Sequence, residues 1–153
     1  MRGIIQALQY IPYSAKHTES PIEVMMFEAL MKTGEVVLVE EGEPEGEGFF
    51  LYPQKQVGPY RADFILEAIG YPDFAPKVWP PKLRAKICIE CDGKEFHSSK
   101  EDVEHDKRRD EYFKERGIKT YRYSGSDINY NAQFCAECVL HEAKEALKGC
   151  KVD

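Results

Sequence analysis

The sequence predicts a mixed α/β fold, helices packed on a single sheet, and three observations lead there. Apolar and polar residues alternate over Tyr60 to Glu67 and Arg84 to Asp92, the period of a strand. Helix start signals stand ahead of two segments, Ser20-Pro21 and Ser98 or Ser99, and glycines close both. With 153 residues, 42% hydrophobic and 31% charged, the chain has the size and composition of one domain with its own core.

The elements follow in order. Residues 1–16 carry no strong signal and form an N-terminal extension. Ser20 caps a helix with Pro21 at its first position, and Val24 through Met31 make it apolar nearly all round until Gly34, as in a buried helix. Val36 to Val39 is a short strand. An acidic loop, Glu40 to Glu47, leads to strands at Phe49–Gln56 and Tyr60–Glu67. Residues 71–83 are a proline-rich excursion containing Trp79, and Arg84–Asp92 is the strongest strand. A charged helix runs to Arg116 and is closed by Gly117, Ile118–Tyr123 is a further strand, and Asn131–Lys148 is a last amphipathic helix. No internal repeat or domain boundary interrupts residues 1–153, which read as one domain.

Charge narrows the function. A net charge of -6 excludes a global basic field, yet Lys82 to Arg122 holds twelve Lys/Arg against ten Asp/Glu, so a nucleic-acid partner would use a local groove. No apolar run reaches the roughly 18 residues of a membrane span, and no signal-peptide h-region is present, so a cytoplasmic protein with no membrane partner is expected. Five cysteines, an odd number without an export signal, point to reduced thiols. Cys88/Cys91 and Cys135/Cys138 have zinc-knuckle spacing. Cys88 and Cys91 lie on a strand, however, where an odd spacing sends them to opposite faces, so buried core thiols are the expected reading.

The chemistry lies in acids on strands. Alternation puts Ala62, Phe64 and Leu66 on one face and Arg61, Asp63 and Glu67 on the other. Glu90 and Asp92 likewise share a face, opposite Ile87, Ile89 and Cys91. If these strands are neighbours, Asp63, Glu90 and Asp92 converge. Buried carboxylates are costly unless paired or bound to a cation, and converging oxygen donors suit Mg²⁺ in phosphodiester hydrolysis. Simple solvation of an edge strand is the bland alternative.

The run Gln56-Val-Gly-Pro-Tyr-Arg-Ala-Asp-Phe64, then Cys88-Ile-Glu-Cys-Asp-Gly93 with His97 shortly after, resembles the PD-(D/E)xK nuclease superfamily. More narrowly, it is similar to uncharacterised restriction-endonuclease-like domains related to very-short-patch-repair endonucleases. Ser20-Pro-Ile-Glu23 resembles that group's opening helix, and Asp106, Arg109, Gly117 and Tyr121-Arg-Tyr-Ser124 its closing elements. The likeness spans roughly residues 20 to 130. It implies a restriction-endonuclease-like core in α-β-β-β-α-β-α order and a metal-dependent DNA endonuclease that leaves a 5′-phosphate and a 3′-hydroxyl. It further implies Mg²⁺ as cofactor, with Mn²⁺ able to substitute, held by Asp63, Glu90 and the Cys91 carbonyl. Glu23 matches a glutamate that holds water in the site, and His97 a histidine that assists proton transfer. Asp92 stands where the superfamily usually has lysine, a departure that Lys94 could partly offset.

Other readings stay open beside these. Pro72-Asp73 is the literal PD dipeptide, but it lies in the proline-rich excursion without strand alternation. Glu23 also suits a helix N-terminus, and Asp106 with Arg109 suits an ion pair bracing its helix. The competing function is a nuclease fold that binds DNA or a protein partner without cutting.

Overall fold

The computed structural model describes residues 18–71, 82–93 and 99–150. The opening helix, α1, spans Pro21–Lys32, and Ser20 caps it with an extended backbone and a hydroxyl that accepts from the Glu23 amide at 3.3 Å. Met26, Phe27 and Leu30 are fully buried, as expected of a helix apolar on most sides. The strands are β1 (Val36–Leu38), β2 (Gly48–Val57), β3 (Tyr60–Gly70) and β4 (Leu83–Asp92). Helix α2 (Lys100–Glu115) starts at a Ser99 cap whose hydroxyl accepts from the Asp102 amide at 3.1 Å. Strand β5 (Ile118–Ser124) and helix α3 (Gly125–Lys148) complete the fold.

The five strands form one mixed sheet in the order β1-β2-β3-β4-β5. The outer pairs, β1/β2 and β4/β5, are parallel, and the two inner pairs are antiparallel. Helices α1 and α3 cover one face through Phe27, Leu30, Phe64, Leu66, Ile89 and Val139. On the other face Phe113 of α2 packs on Ala62, Ile65, Cys88 and Ile118. Among the described residues, no helix is long and apolar enough to cross a membrane.

Gly58 makes the β2–β3 turn with φ +59, and a side chain there would collide with the Tyr112 ring, its Cβ only 1.9 Å from the hydroxyl oxygen. That contact docks α2 on the hairpin.

Two expectations change. Strict alternation on β3 fails: Phe64 and Leu66 enter the α1/α3 core, whereas Ala62 joins Ile65 in the core under α2. The cause lies across the ladder. Pro53 pairs with Phe64 and Lys55 with Ala62, and between them Gln54, opposite Asp63, has a left-handed φ of +50. That distortion works as a bulge does, switching the facing of the side chains that follow.

The last helix begins at Gly125 rather than Asn131, because the Ser124 hydroxyl caps it on the Asp127 amide at 3.1 Å. Asn131 interrupts it with φ -161 and ψ 84, and its side chain caps the second segment by accepting from the Phe134 amide at 3.0 Å. The core stripe of that segment is Cys135, Ala136, Val139, Leu140 and Ala143, while Phe134 and His141 face outward.

Candidate functional site

Where the β3–β4 ladder ends, the sheet opens. Backbone pairing runs as far as Phe64 with Ile89. Beyond it the Asp63 side chain takes over, its Oδ2 accepting from the Cys91 amide at 2.9 Å. A cleft of about 560 Å³ lies there, lined by Glu23, Asp63, Glu90, Cys91, Asp92 and Arg109. Helix α1 supplies one wall with its N-terminus, where Ser20 and Pro21 also line the cleft, and α2 supplies Arg109.

The acids are held differently. Glu90 is 3% exposed and faces α2, where Arg109 Nη1 stands 3.7 Å from its Oε1. The Cys88 thiol donates to the same oxygen at 3.4 Å. Burial, and next the neighbouring Asp63 carboxylate, push the Glu90 carboxyl up to about 8, with Arg109 pulling the other way. Burial of Glu90 beside a second carboxylate disfavours its bare charge, so a proton or a cation there is favoured.

Glu23 is 5% exposed, and burial followed by Asp63 raises its pKa, opposed by the Ser20 hydroxyl. That hydroxyl donates to Glu23 Oε2 at 2.9 Å, while Gln54 Nε2 donates to Oε1. Gln54 Oε1 is itself buried with no hydrogen-bond partner among the described residues, a state that costs about 1–3 kcal/mol.

Asp92 faces Arg122, Nη1 to Oδ2, at 3.5 Å. Arg122 also pairs with Asp110 and reaches Asp106 at 4.0 Å. Asp106 in turn holds Arg109 at 3.2 Å. The i,i+3 pair on α2 thus braces its helix as expected and also carries Arg109 into the cleft. The chain of charges runs Asp92–Arg122–Asp106–Arg109–Glu90.

Glu23, Asp63, Glu90 and Asp92 are therefore brought together. Glu67 is not: it is buried in a separate groove, with Lys86 at 3.8 Å and the Tyr52 hydroxyl at 3.4 Å. His97, Lys94 and Pro72-Asp73 lie outside the described residues. All five thiols are free, and Cys88 and Cys91 enter opposite cores. Burial, then Glu90 for Cys88 and Asp63 for Cys91, raises both thiols far above their ordinary range, which keeps them protonated in the metal-free protein.

Among the described residues, no group of three or more His, Cys, Asp or Glu side chains is arranged to hold a metal ion. The donors that do meet are the Asp63 and Glu90 carboxylates, with Glu23 nearby. Such a set suits Mg²⁺, which takes one or two carboxylates and keeps several waters, rather than a metal caged wholly by side chains. Gln54 and the reach of Arg109 into the cleft were missed by the sequence reading. A polar residue facing a motif acid across a hairpin was the available signal for Gln54.

No family model, curated protein or solved structure matches this chain.

Proposed function

We propose that the protein is a metal-dependent DNA endonuclease of the PD-(D/E)xK type. One observation carries the reading: Asp63 and Glu90, from adjacent antiparallel strands, converge in a cleft that also receives Glu23 from the opening helix. The order of elements adds support, since without the edge strand β1 the chain runs α-β-β-β-α-β-α.

Asp63 and Glu90, with the Cys91 carbonyl, would hold Mg²⁺ or Mn²⁺, an ion that supplies phosphate polarisation and a more acidic water. The protein's own groups do the rest. The Cys91 amide fixes the Asp63 carboxylate, and Arg109 and the Cys88 thiol fix Glu90. Glu23 presents its carboxylate to the cleft from the first turn of α1, whose N-terminal amides favour a phosphate group nearby. His97 takes the proton-transfer role that the resemblance implies.

The competing reading, a nuclease fold that binds DNA or a protein partner without cutting, draws on Asp92. It stands in the lysine position and is engaged by Arg122. The deciding test is cleavage of duplex, mismatched, branched and single-stranded DNA with Mg²⁺ or Mn²⁺, beside an Asp63→Ala control. Cutting that the control abolishes supports the enzyme; no cutting on any substrate supports the binding module.

A further inference from the structure

We propose that Gln54 is a positioning residue of this cleft, holding Glu23 in place against Asp63 through its side-chain amide; the inference rests on the nuclease reading. Three features meet at this residue. Its backbone is left-handed, φ +50, in the middle of a long strand. Glycine takes that conformation without strain, and among other residues Asn, Asp and His are enriched there, so local preference does not explain a glutamine. Its Nε2 donates to Glu23 Oε1, tying β2 to α1 across 31 residues of sequence. Its Oε1 is buried with no partner among the described residues.

Packing alone favours other residues here. Glycine would relieve the backbone, and methionine would fill a similar volume without leaving a buried carbonyl unpaired. Strain of this kind is retained where the surroundings hold it for a purpose. The place supplies the purpose. Gln54 stands opposite Asp63 in the hairpin, at the point where the sheet changes facing, and its amide reaches Glu23, the helix carboxylate that lines the cleft among the described residues. With the Ser20 hydroxyl on Oε2 and Gln54 on Oε1, the Glu23 carboxylate is gripped at both oxygens and has one orientation. The arrangement matches the way outer partners aim the groups that touch a reacting centre.

Two variants of the full chain separate the backbone from the amide: Gln54→Gly removes the strain and the amide, and Gln54→Met removes the amide alone. DNA cleavage with Mn²⁺ and the thermal midpoint are measured for both, beside Glu23→Gln and the double variant Glu23→Gln/Gln54→Gly. Both single variants should cut about 10- to 100-fold more slowly, the usual cost of losing such a partner. Gln54→Gly should melt no lower than wild type, and the double variant should cut no more slowly than Glu23→Gln alone. Gln54 variants that cut at the wild-type rate, a loss that only tracks a lowered midpoint, or a double variant showing the product of the two single losses would each overturn the inference. If wild type cuts and only the Gln54 variants fail to behave as stated, this inference alone falls. If wild type cuts nothing, the nuclease reading falls and takes this one with it.

Discussion

Replacing Glu90 with glutamine should change how stability depends on pH. Glu90 is 3% exposed, and burial together with Asp63 lifts its carboxyl up to about 8, from an ordinary value of 4.5. Its pKa is thus higher folded than unfolded. The folded protein then binds the extra proton, and the associated stability is fully present below pH 4.5 and is lost as pH rises toward 8. One proton of difference corresponds to a slope of about 1.4 kcal/mol per pH unit in the steepest part of that window. Glu90→Gln copies the protonated form in shape and charge. It should flatten the slope and leave the variant more stable than wild type near pH 8. Arg109 loses its carboxylate partner at 3.7 Å and offsets part of that gain, although Asp106 still holds it. The assay is urea unfolding between pH 5 and pH 8 in the presence of a chelator, repeated with Mg²⁺ or Mn²⁺. Added cation should restore wild-type stability most at high pH and leave Glu90→Gln nearly unmoved. Parallel pH curves for the two proteins would refute the claim that buried, mutually repelling carboxylates define this cleft.

Other outcomes follow from particular contacts. Phe113→Ala removes the fully buried ring that seals α2 to the sheet and should cost about 3–5 kcal/mol, read by chemical denaturation; a loss under 1 kcal/mol would mean α2 is held mainly by its charges. Because Cys88 and Cys91 enter opposite cores, purified protein should contain far less than one zinc per chain by elemental analysis. One tightly held zinc, lost when Cys91 and Cys138 are both replaced, would revive the cysteine-ligated reading. Asp92→Lys places a second cation against Arg122, which sits 3.5 Å from Asp92, so stability should drop by on the order of 1 kcal/mol and cleavage should fall. Raised cleavage would instead mean that this slot still serves water activation.

Most of the fold is legible in the sequence because its signals are local. Ser20 before Pro21, Ser99 before a charged run and Gly117 after it mark real helix ends. Alternation along β4 places Cys88 and Cys91 on opposite faces and brings Glu90 to the side of α2. The expectations that changed depend on neighbours distant in sequence or on backbone geometry. Alternation assumes an unbroken ladder, and the left-handed Gln54 interrupts the one beside Asp63. Gly125 and Ser126 have weak helix propensity, which conceals the true start of α3, while Asn131 imitates a start because it caps the second segment. In the candidate site, the shared facing of Glu90 and Asp92 was readable from alternation along β4, but the approach of Asp63 was not, because alternation on β3 breaks beside it. Nor were the Arg109 and Arg122 links, since an i,i+3 pattern reveals only partners on the same helix.

The measurement closest to the central claim is Mn²⁺-dependent cleavage by wild type, Asp63→Ala and Glu90→Gln on the mixed DNA panel, with DNA binding followed in parallel. Wild type should cut and both variants should lose cleavage by orders of magnitude, because the ion they would hold supplies several kcal/mol of transition-state stabilisation. DNA binding by Glu90→Gln should persist, since the variant keeps the shape of the cleft and adds no negative charge to repel the phosphates. Cleavage persisting unchanged in Glu90→Gln, or absent from wild type on every substrate, would contradict the account.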